Sequence, residues 1–374
     1  MRILYYYPEV SNPMSQWQRV HFFEELSHHG VLIDAFNPLL CRNIEDAQEQ
    51  VIKLAKKSNY DLFMTCLCNE KHIYGSTIET IKQMGIPTLS FRPDNLSIPF
   101  NDKELAPVFD LLWLTSKDTQ YLYEKWGAKT IFLPYAANPF VYTRKNKTPS
   151  IRRVCFIGNP HGSRTSVINT ISQGGLPVDM YYGKRIETVD NQCTIKPRWY
   201  LPATSKNTLL SIISRLKSKE GRILLKGAIY EKMKGGIELD MNSFIQNYPS
   251  LSFDDMVNSY SMYYLSLSFS SYARTDLLKK NLPVVNLRNF EIPMCGGIQI
   301  CRYSEEMETY FEDGKEAVFY RCNEELLEKV DYYLNKASEQ EVGAMAKAAR
   351  FRSENEHTWF QRFTKVFEEF GLNR

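Results

Sequence analysis

Long apolar runs are missing from this 374-residue sequence, and so is any stretch near the roughly 18 apolar residues that a membrane span needs. The first residues also lack the basic start, apolar centre and small-residue cleavage site of a secretory signal. These absences exclude the usual marks of a membrane-spanning or exported chain. They predict a cytoplasmic protein.

Cysteines in paired spacing are missing as well. The chain has eight cysteines, at positions 41, 66, 68, 155, 193, 295, 301 and 322, and none forms a Cys-x-x-Cys set. Several lie inside apolar, strand-like runs such as residues 154–156. We interpret them as reduced and largely buried thiols, and we predict no metal site and no disulfide framework.

A strong overall charge is the third absence. The net charge of +3 is too small to predict nucleic acid as the main partner. The charge is unevenly distributed, however: residues 196–234 contain ten Lys or Arg and two Glu, a net of +8. Apolar residues make up 43% of the chain and charged residues 24%, which is typical of a folded protein.

The length favours two domains, because a single hydrophobic core rarely grows beyond about 250–300 residues. Short apolar runs alternate with amphipathic stretches over the first 140 residues, the pattern of βα units around a parallel sheet. The predicted strands there are residues 3–7, 31–36, 61–66, 87–91, 111–115 and 130–133. Residues 134–150 are polar and rich in proline, and they make the best linker.

A second βα series follows the linker. Its predicted strands are residues 153–157, 178–182, 263–267 and 298–301, with helices at 163–173, 253–260, 289–295, 324–334 and 340–370. Open parallel sheets bind ligands at the carboxyl ends of their strands, so we expect the active site between two such domains.

Three motifs in the second half carry a family resemblance. They are RNFEIPMCGG at residues 288–297, YFEDGKE at 310–316 and EHT at 356–358. In order and spacing they resemble the C-terminal domain of group 1 glycosyltransferases, in particular the branch that includes spore-maturation-protein-like enzymes. The resemblance covers about residues 150–370. The N-terminal half resembles the acceptor domain of these enzymes only in its organisation.

The resemblance implies an α/β protein of the GT-B fold, with two Rossmann-like doubly wound domains facing across a cleft. It implies an acceptor-side domain at residues 1–140 and a nucleotide-sugar donor domain at 151–350. Residues 351–374 would form a C-terminal helix that packs back towards the first domain.

In the family, a glutamate followed by a short tripeptide and glycines holds the ribose of the donor, and Glu291 occupies that place before Gly296 and Gly297. A carboxylate suits a vicinal diol because it accepts two hydrogen bonds. The alternative is that Glu291 caps its helix and the glycines only turn the chain. An earlier glutamate of the family is replaced here by Pro283, so recognition of the sugar does not carry over.

Four residues are phosphate candidates. Arg288, at the start of the helix that carries Glu291, would neutralise a leaving diphosphate without a metal; its alternative is a surface salt bridge. Gly158 and Asn159 follow a strand and resemble the phosphate-side glycine loop of the family, or else they form a plain turn. Arg164 lies in the first turn of the next helix.

The N-terminal half offers Asp94 as the catalytic candidate. It follows a predicted strand and resembles an aspartate-bearing loop of related enzymes. Asp94 would act as base on an acceptor hydroxyl if the reaction inverts, and would position the acceptor if it retains. An aspartate in a turn after proline is the alternative interpretation.

Within the basic segment, residues 205–226 combine apolar residues with cations. Such a segment can rest on an anionic membrane surface or meet an acidic glycan, and the alternative is a solvated helix with one buried face. The inner face of the membrane is therefore a second predicted location.

We therefore predict a metal-independent, hexosyltransferase-like glycosyltransferase. It would use a nucleotide-diphosphate donor, a UDP-sugar, as substrate and no cofactor. The predicted acceptor is a hydroxyl on a glycan, a lipid or a protein. A sugar-nucleotide epimerase is the alternative among enzymes, and a catalytically silent sugar-nucleotide-binding subunit is the alternative from another class.

Overall fold

The structure is a computed structural model that describes residues 1–9, 17–97, 99–145, 148–183, 199–200, 208–233 and 237–372. Parts of earlier predictions lie outside these ranges: Cys193 and the basic residues Lys196, Arg198, Lys206 and Lys234. The chain divides into two compact units. Unit 1 comprises residues 1–134, 190–222 and 359–374, and unit 2 comprises residues 135–189 and 223–358.

Unit 1 is built on a six-stranded parallel sheet in the order β2-β1-β3-β4-β5-β6. Its strands are β1 (Arg2–Tyr6), β2 (Leu32–Phe36), β3 (Leu62–Thr65), β4 (Thr88–Arg92), β5 (Leu111–Leu114) and β6 (Thr130–Phe132). Every residue of β3 and β5 is buried, which explains their continuous apolar sequences. All six predicted strands of this half are confirmed within one or two residues at each end.

The helices of unit 1 are α1 (Glu24–His28), α2 (Ile44–Lys57), α3 (Gly75–Gln83), α4 (Gln120–Lys125), α6 (Thr208–Leu216) and α13 (Trp359–Glu369), numbered with those of unit 2 in chain order. The sequence explains where helix α2 begins and where it ends. The Asn43 side chain accepts a hydrogen bond from the backbone N–H of Asp46, while Lys56 and Lys57 occupy the negative end of the helix dipole.

Unit 2 has its own six-stranded parallel sheet, in the order β12-β11-β10-β7-β8-β9. Its strands are β7 (Ile151–Ile157), β8 (Val178–Tyr181), β9 (Ile245–Tyr248), β10 (Tyr263–Leu267), β11 (Gln299–Arg302) and β12 (Val318–Tyr320). Its helices are α5 (Ser163–Gln173), α8 (Phe253–Met262), α9 (Arg288–Met294), α10 (Glu305–Tyr310), α11 (Asn323–Asp331) and α12 (Glu339–Glu356), while α7 (Lys219–Met233) begins in unit 1 and ends in unit 2. The α/β class with two Rossmann-like sheets is confirmed.

The unit boundaries differ from the predicted domains in two places. Residues 199–200 and 208–222 belong to unit 1 although they lie within the predicted donor domain at 151–350. They contact unit 1 directly, because Lys217 and Lys219 lie over the rings of Phe100 and Tyr121. The first boundary falls at residue 134 rather than 140.

The last helix completes the aromatic core of unit 1. Trp359 is fully buried, and its ring centroid lies 4.7 Å from that of Phe22 and 5.9 Å from that of Trp113. Phe363 stands edge-on to the same two rings, at 5.1 Å from each. The predicted helix at residues 340–370 is in fact two helices, α12 and α13, interrupted at residues 357–358.

Two kinds of feature are absent from the described ranges. None of the helices there combines the length and the apolar character that crossing a bilayer requires. His, Cys, Asp and Glu side chains of the described residues form no group of three or more that could hold a metal ion.

Candidate functional site

Each sheet has one topological switch point, where successive connections leave towards opposite edges and ligands of open parallel sheets usually bind. In unit 2 it lies between β7 and β10, and in unit 1 between β1 and β3. The predicted phosphate residues follow β7, and the predicted Asp94 follows β4, next to β3.

Gly158 lies at the end of β7 with φ of +140°, a backbone conformation that favours glycine. A Cβ at this position would lie 3.0 Å from Nη1 of Arg288 and 4.0 Å from Nη1 of Arg164. The glycine therefore makes room for two guanidinium groups at one turn. Arg164 also donates to the backbone oxygen of Asn159 at 3.3 Å, whereas the Asn159 side chain is exposed.

The two arginines form no ion pair within the described part of the chain, although the charge of Glu291 acts on Arg288. Neither Arg164 nor Arg288 forms an ion pair with a carboxylate of the described residues, so the alternative of a surface salt bridge for Arg288 finds no support there. Burial, together with the charge of Arg288, lowers the pKa of Arg164. Arg288 donates from Nη1 to the backbone oxygen of Ile157, while its buried Nε has no partner in the described structure. The turn is therefore electropositive.

Helix α5 adds to this potential. It begins at Ser163, directly after Gly162, and no side chain caps its first turn. The amides at a helix N-terminus and the positive end of the helix dipole both favour an anion. The pKa of the neighbouring His161 is lowered by burial and by the charges of Arg164 and Arg274, which disfavours its protonated form. A phosphate group suits this surrounding.

A buried polar network holds α9 against the sheet. The Asn289 side chain donates to Ser268 Oγ at 3.1 Å and to Gln299 Oε1 at 3.2 Å, and Gln299 donates back to the Asn289 backbone oxygen at 3.0 Å. Ser268 follows β10 and Gln299 begins β11, so the start of α9 is fixed at the switch point. This network positions Arg288.

Glu291 lies one turn further along α9 and is only 6% exposed. Its Oε1 accepts a hydrogen bond from the hydroxyl of Tyr142, a residue 149 positions earlier in the chain. Burial and the nearby Glu291 carboxylate raise the pKa of Tyr142, which keeps the phenol protonated and able to donate. Arg350 holds this arrangement together, since it donates to backbone oxygens of both Tyr142 and Met294.

Other atoms of the protein come very close to the two predicted glycines that follow α9. Gly296 has φ of +73°, and a Cβ there would lie 2.7 Å from Cδ of Arg144. At Gly297, a Cβ would lie 2.5 Å from the backbone oxygen of Tyr260 and 3.0 Å from that of Ile292. Both glycines therefore pack the end of α9. Their predicted part in donor binding stays a prediction.

Gly297→Ala should lower the free energy of unfolding by about 2–3 kcal/mol, because the methyl group would press on two backbone oxygens that cannot rotate away. Gly343→Ala in α12 is the matched control. There the nearest atom, Cγ2 of Thr148, is 3.4 Å away, so alanine should stabilise the helix by roughly 0.5–1 kcal/mol. Urea unfolding midpoints compare the two. Equal midpoints would show that Gly297 is not tightly packed.

Unit 1 carries a separate cavity of about 210 Å³ at the carboxyl ends of β3 and β4. It is lined by residues 66–69, 72, 92, 94, 95, 97, 101 and 102. Arg92 and Asp102 form a bidentate pair in its wall, with N···O distances of 2.9 and 2.8 Å, and the Tyr123 hydroxyl donates to the same carboxylate at 2.7 Å. Arg92 and Asp102 therefore neutralise each other's charge within the cavity wall.

Asp94 is an exposed residue of the cavity lining. Its φ of +53° is the one positive value among non-glycine residues of the described structure. Such backbone strain is concentrated at functional sites. Its backbone N–H donates to Thr115 Oγ1 at 3.2 Å, and the buried Asn95 side chain accepts from the backbone N–H groups of Thr115 and Ser116, so the loop is tied to the end of β5. Asp94 is thus held in an unusual conformation at the rim of a cavity.

Sequence reasoning missed Tyr142, Arg144 and Arg350, which surround α9. Nothing in the local sequence of any of them indicates this contact, because each meets α9 across a long separation in the chain.

Comparison with known proteins agrees with the fold. Residues 210–368 match a family model described as glycosyl transferase-like. No curated protein matches by sequence. Sucrose-phosphate synthase from Thermosynechococcus elongatus superposes with a TM-score of 0.59 at 12% identity, covering 100% of this chain and 99% of that one.

Two other solved structures are similar. HepE from Anabaena, in complex with UDP-glucose, has a TM-score of 0.59 at 11% identity, with 99% of each chain covered. A glycosyltransferase from Rickettsia africae has a TM-score of 0.56 at 13% identity, covering 98% of this chain and 97% of that one. These likenesses show the fold. The chain has the GT-B fold, and its residues 210–368 are similar to the glycosyl transferase-like family, whereas its place in the spore-maturation-protein-like branch stays a prediction.

Proposed function

We propose that the protein transfers a sugar from a nucleotide-diphosphate donor to an acceptor hydroxyl. The observation that carries the proposal is the meeting of two arginines, Arg164 and Arg288, at the Gly158 turn before α5, where neither forms an ion pair with a carboxylate of the described residues. A diphosphate leaving group bears the charge that this turn favours. The similarity of residues 210–368 to the glycosyl transferase-like family model supports the same reaction class.

In the proposed reaction, the bond between the anomeric carbon and the diphosphate oxygen breaks, and a bond to the acceptor oxygen forms. Arg288, Arg164 and the first amides of α5 stabilise the negative charge on the departing diphosphate. The acceptor proton goes to Asp94 if the configuration inverts, and to the departing phosphate oxygen if it is retained. No step requires a metal ion, so we propose a metal-independent enzyme.

UDP is the proposed nucleotide. HepE and an α-glucosyltransferase of similar fold are each described in complex with UDP-glucose, at 11% and 13% identity to this chain. Glu291 would hold the ribose hydroxyls. Because its carboxylate accepts the Tyr142 hydroxyl, this role requires either that the carboxylate accepts from Tyr142 and the ribose together or that Tyr142 moves.

Calorimetric titration with uridine, guanosine, adenosine and cytidine diphosphates tests the donor site. We expect micromolar binding of UDP, and the same dissociation constant with magnesium and with EDTA, because arginines and helix amides supply the positive charge. Binding of a different nucleotide would correct the donor. No binding of any nucleotide would contradict the proposal.

A silent nucleotide-binding subunit is the second candidate. The observation that favours it is Pro283, where the family carries a glutamate that touches the sugar. The structure pairs Pro283 with Ser271 in an antiparallel bridge, so its backbone is fixed and it offers no carboxylate. Release of UDP from UDP-sugars on addition of acceptor mixtures separates the two: a silent subunit binds UDP and releases none.

A further inference from the structure

Helix α6 presents an apolar face to solvent. Ile212, Ile213 and Leu216 are 37%, 44% and 51% exposed, respectively. Their spacing of one and four residues places them on the same side of an α-helix. Isolated exposed apolar residues are common on proteins, but three adjacent ones on one helix make a continuous patch.

The residues that follow α6 are cationic and exposed. They are Lys217, Lys219 and Arg222, all within unit 1. The acid among them, Glu220, is 1% exposed, accepts a hydrogen bond from the Tyr121 hydroxyl at 3.1 Å and pairs with Lys219 at 3.5 Å. Lys217 and Arg222 remain, so the surface beside the apolar patch is positive.

The patch is presented by a well-anchored segment. Lys217 lies 5.6 Å from the ring centroid of Phe100, and Lys219 lies 5.2 Å from that of Tyr121. Arg222 donates to the backbone oxygen of Leu216 at 3.1 Å and so caps the end of α6, while Ser218 Oγ accepts from the N–H of Gly221 at 3.0 Å and begins the next helix. These contacts fix the cations next to the apolar face.

We propose that this face of α6 docks on an anionic lipid bilayer surface. The helix would lie in the plane of the interface with Ile212, Ile213 and Leu216 among the acyl chains, while Lys217, Lys219 and Arg222 contact lipid phosphates. The acyl chains of a bilayer match the apolar stripe, and its anionic headgroups match the flanking cations. A neutral protein surface would match only the stripe, and an acidic glycan only the cations.

The docking goes beyond sugar transfer and holds whichever sugar or acceptor is used. Docking of α6 would bring the protein, with the cavity of its acceptor-side unit 1, to a membrane. Lipid-linked hydroxyls are concentrated there. Failure to bind lipid would leave the nucleotide titration and the transfer reaction untouched, so the two proposals fail separately.

Sedimentation of the full chain with vesicles tests the proposal. We expect binding to vesicles of phosphatidylcholine and phosphatidylglycerol, weaker binding as salt is raised, and no binding to phosphatidylcholine alone. The triple variant Ile212→Ser, Ile213→Ser and Leu216→Ser should lose binding. The triple variant Lys217→Gln, Lys219→Gln and Arg222→Gln should weaken it by about fivefold for each cation removed.

Leu40→Ser is the matched control, since Leu40 is an exposed leucine of unit 1 outside α6 and should bind like the natural protein. Leu216→Ser removes the same side chain from the patch and should bind less. Ile213→Trp gives an independent readout, because indole emission shifts to the blue when the helix enters the interface. This variant keeps the patch apolar and decides the matter even if the serine variants fold poorly.

Three results would overturn the proposal. One is absence of binding to anionic vesicles by the natural protein. Another is binding that the Ile212, Ile213 and Leu216 changes leave intact. The third is a concentration-dependent dimer that those changes abolish without any vesicle binding, since α6 would then be a contact between two copies of the chain.

Discussion

Asp94→Asn should lower the rate of sugar transfer by about 100-fold or more if Asp94 accepts the acceptor proton, since general base catalysis contributes about 10²–10⁴. Asparagine keeps the size of the side chain and tolerates the positive φ of this residue, so the loop should keep its shape. The melting temperature should stay the same. The measurement is the initial rate of UDP release in the presence of an acceptor that supports turnover.

The inverting and retaining alternatives give different signatures for this variant. If Asp94 is the base, the variant should lower kcat. The fall in kcat at acidic pH should then also disappear. A positioning residue acts mainly on the KM of the acceptor. Glu104→Gln is the control, because Glu104 is an exposed carboxylate of the same unit. If Asp94→Asn and Glu104→Gln both transfer at the natural rate, Asp94 is only a turn residue.

Arg288→Ala should weaken UDP binding by about 100-fold. Truncating one partner of a buried, hydrogen-bonded charge pair costs roughly 2–5 kcal/mol, and 1.4 kcal/mol corresponds to a factor of ten. Arg164→Ala should cost less, because its guanidinium is partly exposed and lies 5.6 Å from the ring centroid of Phe269. Calorimetric dissociation constants for UDP measure both effects.

Arg321→Ala is the matched control for charge, as it removes one arginine of unit 2 that pairs with Glu325 and lies over the ring of Tyr303. It should bind UDP normally. Arg288 also donates to the Ile157 backbone, so its loss could affect folding as well as binding. The melting temperature of each variant must therefore be measured together with its UDP affinity. Natural UDP affinity in a folded Arg288→Ala protein would remove the proposed diphosphate site.

Glutamine tests the role of Glu291 better than alanine does. Alanine would remove the acceptor of the Tyr142 hydroxyl and leave a buried donor without a partner, at a cost of about 1–3 kcal/mol. Glu291→Gln keeps an oxygen for Tyr142 while removing the charge. Weaker UDP binding by this variant at an unchanged melting temperature would support the ribose role.

The sequence predicted ten of the described strands and missed two, β9 and β12, for different reasons. Strand β9 has one buried residue, Ile245, followed by three exposed ones, so no run of apolar residues marks it. Strand β12 is fully buried but only three residues long. Both lie at the outer edges of the unit 2 sheet, where one neighbouring strand is enough.

The candidate site was predictable only where it depends on local sequence. Gly158 was recognisable because a glycine directly after a parallel strand is a local signal, and its nearness to Arg164 follows from the start of the next helix. The meeting of Arg288 with Gly158 depends on the pairing of β7 with β10, which no short window of sequence contains. The bond from Tyr142 to Glu291 depends on packing of the same kind.

Trp359 and Phe363 give the chain a particular order of completion during synthesis. The aromatic rings of unit 1 that they cover, Phe22 and Trp113, are translated more than 240 residues earlier. At about 5–20 residues per second, those rings wait many seconds for their final neighbours. The half of the protein that is made first is therefore finished last, and its apolar surface is open to chaperones until α13 has left the ribosome.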